Sequence, residues 1–295
     1  MGIHEAERIQ PLARSRRATL NPEKWIAKAA VYVVLAVVVV LMGAPFLWIV
    51  STSFKSASDV FSLPPQWPPS PAVLDNYATV WQQIPFGRFY LNSIEIAGLV
   101  TLGQLVTCSL AAYAFARLHF RGRDVIFAIL LASLMVPIQV TIIPLYVMMR
   151  YLQLINTPWS LILPGIISPF GIFLLRQFFL SIPGELVEAA RIDGAGHVRI
   201  LTRIFVPLSV PALATLAIFT FNYYWNDFFR PLIFLNSIDK MTIPLGLVII
   251  QGQYGGSSPA TVMAGVCLAL APVVVVFLIG QRYLIEGITL TGLKG

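Results

Sequence analysis

Six stretches of 20 or more residues contain no Lys, Arg, Asp or Glu. They lie between Lys28 and Lys55, Glu95 and Arg117, Asp124 and Arg150, Arg150 and Arg176, Arg203 and Asp227, and Lys240 and Arg282. A helix needs about 20 apolar residues to cross the hydrocarbon of a bilayer. The pattern therefore predicts spanning helices near 28–53, 91–116, 125–149, 157–180, 208–232 and 260–282. Strands do not fit it: Val31–Met42 and Ala269–Ile279 are apolar on every side, whereas barrel strands alternate. The expected fold is an all-α, polytopic membrane protein of six transmembrane helices. The first apolar run is too long for a signal peptide and is expected to stay as a helix.

Composition closes off a soluble reading. Of 295 residues, 57% are hydrophobic and 11% charged, where an ordinary soluble domain is about a quarter charged. A net charge of +7 would suggest nucleic acid in a soluble protein, but in a membrane protein the placement of charge matters more than its sum. With the N-terminus inside, only Lys55, Arg88, Arg150, Arg230 and Lys240 fall outside, and the other fifteen of the 20 Lys and Arg are cytoplasmic. That asymmetry predicts both termini in the cytoplasm. Residues 1–27 read as a basic cytoplasmic arm that sets topology and meets lipid headgroups, with no nucleic-acid partner. Residues 28–285 form the membrane domain, and 286–295 a cytoplasmic tail. Cys108 and Cys267 fall within predicted helices and make neither a disulfide framework nor a zinc set.

The one long polar interruption on the predicted cytoplasmic side is Ser181–Pro211. It reads as two short helices forming a knob. Ser181 is placed to cap the first, Pro183 suits its first turn, and Glu185 and Glu188 favour the positive end of its dipole. Leu186, Ala189, Ala190 and Ile192 are its apolar and small positions, and Gly194 sits where a left-handed residue would end it. Val198, Leu201, Ile204 and Phe205 then recur at helical spacing up to Pro207. Read alone, Glu188 and Asp193 fit a solvated helix face with local salt bridges, for instance to Arg191, better than they fit a contact surface.

Glu188-Ala189-Ala190, Asp193-Gly194-Ala195, Ile204, Pro207-Leu208 and Pro211 together resemble the EAA loop of binding-protein-dependent ABC permeases. Phe46–Lys55, Asn222–Leu235 and Gln281–Gly295 are similar to the carbohydrate-importer branch that includes the maltose permeases, so the likeness covers almost the whole chain. Gly196 departs from the pattern, since many relatives carry a small polar residue able to cap the second helix there. The resemblance implies a type I importer permease in a bacterial or archaeal cytoplasmic membrane. It implies a second permease subunit, two ATPase subunits holding ATP and Mg, and an extracytoplasmic solute-binding protein. In that reading Glu188, Ala189, Ala190, Asp193, Gly194 and Ala195 couple to an ATPase, and this chain binds no cofactor or metal of its own. A loop of maltose-type permeases reaches into the binding protein. Gln253, Tyr254, Gly255, Gly256 and Ser257 stand in the matching region here, where an ordinary flexible turn is the other reading.

Asn222, Tyr223, Tyr224, Trp225, Asn226 and Asp227 place amides and aromatics in one run near the outer end of the fifth helix. Amides suit sugar hydroxyls and aromatics suit sugar ring faces, which makes the run a candidate solute path. An aromatic interface belt with Asp227 paired to Arg230 is the competing reading. Pro137, Pro144, Pro164 and Pro169 each invite a kink, through ordinary packing or in a moving, path-lining role. The sequence has no GxxxxGK[ST] phosphate loop, and His4, His119 and His197 all lie outside the predicted spans, so the chain reads as a non-catalytic translocation subunit. Three alternatives stay open: an ion-coupled secondary transporter, a membrane-anchored scaffold that only binds a soluble partner through the knob, and a permease for another polar solute such as a glycerol phosphodiester. The first would need ionisable groups deep in the helices, whereas Glu95 and Asp227 lie toward the outer ends.

Overall fold

The computed structural model describes residues 22–64, 66–252 and 257–292, and among these there is no strand. The chain divides into two units between Trp48 and Ile49. Helix α1 (Pro22–Ser53) forms the described part of the first unit and runs into the second with its last turns. It begins inside the segment expected to be a polar arm. The second unit holds α2 (Asp75–Gln83), α3 (Phe86–Arg117), α4 (Arg123–Ser133), α5 (Ile138–Tyr151), α6 (Trp159–Gly165), α7 (Pro169–Ser181) and α8 (Gly184–Ile192). Then α9 (His197–Ile200) continues through a π-turn at Leu201–Phe205 into α10 (Val206–Leu208). After it come α11 (Val210–Trp225), α12 (Phe229–Phe234), α13 (Ile243–Gly252) and α14 (Pro259–Gly292), the last running past the expected boundary at 285.

Long α3, buried along one face, is the axis of the second unit. It packs on α7 and α11, while α14 packs on α11 and α2. One core cluster gathers Phe86, Phe89, Trp225 and Phe234, and a second gathers Cys108, Leu175, Phe179, Phe205 and Leu216. Four stretches are long and apolar enough to cross a membrane: Lys28–Ser53, Phe86–Arg117, Trp159–Ser181 and Pro259–Tyr283. Two bent pairs, α4 with α5 at 102° and His197–Leu208 with α11 at 80°, raise the count to six if each is one span.

Three expected rods are interrupted in the structure. The third breaks before Pro137, which lacks an N–H and sits in an extended conformation at the start of α5. The fifth, expected to continue to 232, ends at Trp225, because the Asn226 amide folds back to donate to Asn222 O (2.8 Å), and α12 starts afresh. The fourth is also interrupted, at Ile166–Ser168. Pro169 has no N–H to give Gly165 O, so that carbonyl needs another donor at a depth where water is scarce. Gln104 Nε2 reaches it from α3 at 2.7 Å, and Tyr224 Oη adds a longer bond of 3.4 Å from α11. One turn along α3, Thr107 donates to Ile166 O. Thr220 Oγ1 in turn donates to Gln104 Oε1 (2.7 Å), tying α11 to the same point.

Connecting loops sort to two ends of the second unit. At one end the Asn76 amide donates to Ser53 O and Lys55 O (2.9 Å each), satisfying carbonyls where α1 finishes. At the same end Asn92 holds Asp239 O and Met241 O, and Lys240 Nζ donates to Asn156 O. At the other end, Arg117 meets the close of α7 and Tyr113 meets His197.

Candidate functional site

The polar segment after α7 folds as two helices, with details that differ from expectation. Ser181 does not cap α8; its hydroxyl turns back to Phe178 O at 2.7 Å, and Pro183 occupies the N-cap position rather than the first turn. Glu185 lies in the first turn, where the dipole favours it. The end of α8 follows expectation. Gly194 has φ of +77°, Ala195 N donates to Ala190 O (2.9 Å) and Gly194 N donates to Arg191 O (3.0 Å), the paired bonds of a Schellman stop. Gly196 precedes α9 without a side-chain cap.

Anchoring also differs. Val187, not Leu186 or Ile192, is the buried side chain of α8, and Ala190 and Ala195 pack partly against the same core. In the second helix Ile200, Leu201 and Phe205 are buried while Val198 is 73% exposed. The outer face thus presents Leu186, Ala189, Ile192 and Val198 beside Glu188 and Asp193. Neither acid is ion-paired; among the described residues the ion pairs are Arg123–Asp124 and Arg230–Asp227. The local pairing with Arg191 does not form.

The run at 222–227 is split in two by the helix. Trp225 is buried, donates Nε1–H to Ala269 O (3.0 Å) and stacks on Phe221, so it is a packing residue. Tyr224 also points inward. Asn222, Tyr223 and Asn226 share the exposed face, with Asn226 Nδ2 also 2.9 Å from Asn222 Oδ1. Asp227 Oδ2 accepts from Arg230 Nε at 2.6 Å, and Arg230, 6% exposed, donates to Tyr224 Oη (3.0 Å) and lies over both tyrosine rings. The pair anticipated at this position is therefore present, as a buried bridge between α11 and α12. Gln253, Tyr254, Gly255 and Gly256 lie outside the described residues. Ser257 is half-buried and its hydroxyl donates to Gln83 Oε1 at 2.7 Å.

Residues 104–289 match the family described as binding-protein-dependent transport system inner membrane component. The chain belongs to that family. It is the transmembrane permease subunit of an ABC importer, a translocation component rather than an enzyme, in a family with no cofactor of its own. The permease is similar to a probable ABC transporter permease protein, YurM, of Bacillus subtilis, 35% identical over 92% of this chain and 91% of the relative. It is 35% identical to the arabinooligosaccharides transport system permease protein AraQ of Halalkalibacterium halodurans, over 85% of this chain and 91% of that one. With the sn-glycerol-3-phosphate transport system permease protein UgpE of Escherichia coli it shares 34% identity over 86% and 92%. A solved bacterial ABC transporter involved in alginate import has the same fold, with TM-score 0.78 at 24% identity, covering 89% of this chain and 98% of that one.

Family membership removes the ion-coupled alternative. The permease's structure also singles out residues that the sequence pattern passed over. Val187 sits between two acids and breaks no pattern, so its burial had no signal. Gln104 did have one: it is a polar amide inside an apolar span, and such residues usually meet a buried partner.

Proposed function

We propose that this permease, with a second permease chain, encloses a path for a sugar or sugar-like solute that an extracytoplasmic binding protein delivers. Two ATPase subunits carry the ATP and Mg, and one of them receives Glu188, Ala189, Ala190, Asp193, Gly194 and Ala195 in a surface cleft. The membrane is the cytoplasmic membrane of a bacterium or archaeon, with both termini inside. Exposed Leu186, Ile192 and Val198 beside Glu188 and Asp193, neither of them ion-paired, carry the reading, because an exposed apolar projection edged by unpaired acids calls for a protein partner. Asn222, Tyr223 and Asn226 form the solute-facing part of the path. Trp225 and Asp227 support it from behind through the Ala269 and Arg230 contacts. The segment 253–257, Gln253 to Ser257, meets the binding protein.

Arabino-oligosaccharides are a suitable first solute, given what the AraQ relative is named for. Proteoliposomes holding both permeases and the ATPases should take up a labelled arabino-oligosaccharide only with ATP inside and binding protein outside. Uptake driven by an ion gradient without ATP would overturn the coupling. Uptake confined to solutes with no sugar unit would overturn the solute class.

A further inference from the structure

The coupling segment leaves the bundle at Ile182 and returns to it at Phe205, and one side chain of α3 touches both places. Arg117, in the last turn of α3, donates from Nη2 to Phe179 O (2.7 Å) and to Ile182 O, the carbonyls that close α7. Those carbonyls lack helical partners, and the negative end of the α7 dipole favours a cation there. The same guanidinium centre lies 5.3 Å from the centroid of the fully buried Phe205 ring. One turn earlier, Tyr113, 4% exposed, sets its hydroxyl 3.1 Å from His197 Nδ1 and its ring edge-on to Phe205, with centroids 5.2 Å apart. Phe179 meets Phe205 edge-on from α7 at 5.1 Å.

We propose that Arg117 is a positioning residue that makes the coupling segment and α3 move as one body, with Tyr113 as the second contact. The inference rests on the coupling role given to the segment above. The segment is joined to the bundle through Ile182–Pro183 on one side and the bend at Ser209 on the other. A push on α8 would be lost as rotation about them unless the base of the knob is fixed. Arg117 fixes it at both ends. The π-turn at Leu201–Phe205 widens the helix at the point where Phe205 enters this contact. Arg117 thereby directs displacement into the axis of the bundle, since α3 packs on α7 and α11.

The test uses the complete transporter in lipid nanodiscs, with spin labels on Thr202→Cys in the segment, away from the docking face, and Leu110→Cys on α3. Both positions are exposed. In the otherwise native protein the label separation should stay the same when MgATP and vanadate trap the ATPases. In Arg117→Gln it should shift and broaden on trapping, with binding-protein-stimulated ATP hydrolysis falling about tenfold and basal hydrolysis staying within about twofold. A merely structural role would lower assembly and both hydrolysis rates together and leave the label separation unmoved. An unchanged separation and full stimulation in Arg117→Gln would overturn the proposal. Should that variant not assemble, Arg117→Lys decides: it keeps the charge but not the planar double contact. Partial uncoupling with a shifted separation supports the clamp, and full coupling overturns it. Gly194→Asp is the control for the underlying reading. If it keeps full stimulation, the segment is not the coupling element; if it alone is uncoupled, only the Arg117 assignment fails.

Discussion

At Gly194 the backbone has φ of +77°, and an added Cβ would meet no atom within 4 Å. The cost of a side chain there is conformational, about 1–2 kcal/mol for a residue with a Cβ. Asn tolerates this region better than Ala. Gly194→Ala should therefore lose more binding-protein-stimulated ATP hydrolysis than Gly194→Asn, and the reverse order would mean that the stop at α8 does not set the angle of the knob. Buried Arg230 makes a different prediction. Removing its counter-charge in Asp227→Asn leaves a buried cation unpaired, which typically costs about 3–5 kcal/mol. The variant should unfold well below the native protein in a detergent melt, and a double change of Asp227→Asn with Arg230→Met should recover part of the loss. Equal midpoints for all three would mean that the bridge carries little stability.

Helices were legible where one physical requirement dominated. A charge-free run long enough to cross the bilayer fixed α3, α14 and the spanning part of α1, and the left-handed stop at Gly194 was visible because glycine there has few other uses. What stayed hidden depends on which partner a residue meets. The amphipathic helix α2 lies between the first two predicted spans, where the pattern gives no helix, and its tie from Asn76 to the end of α1 has no local signature. Prolines marked the broken spans but not the angles, and nothing local distinguishes inward Trp225 from outward Asn226. The break between α6 and α7 depends on Gln104. Gln104→Leu would leave Gly165 O with only the 3.4 Å bond from Tyr224, at a cost of about 1–3 kcal/mol for the lost partner. A lowered melting midpoint is expected, and no change would show that the break needs no donor from α3.

For the whole molecule, the charge split predicts that the two-helix segment from Gly184 to Leu208 is cytoplasmic. An impermeant thiol reagent added outside intact cells should label Pro68→Cys and not Val198→Cys, and the reverse pattern would invert the topology. The larger claim is that a soluble ATPase drives this bundle through one projection whose exposed face carries Glu188 and whose end is set by Gly194. Its most direct test is binding-protein-stimulated ATP hydrolysis in proteoliposomes carrying Glu188→Lys or Gly194→Asp, at matched permease content. The expected result is loss of stimulation while the binding protein keeps its affinity for solute. Native stimulation in both variants would contradict the account.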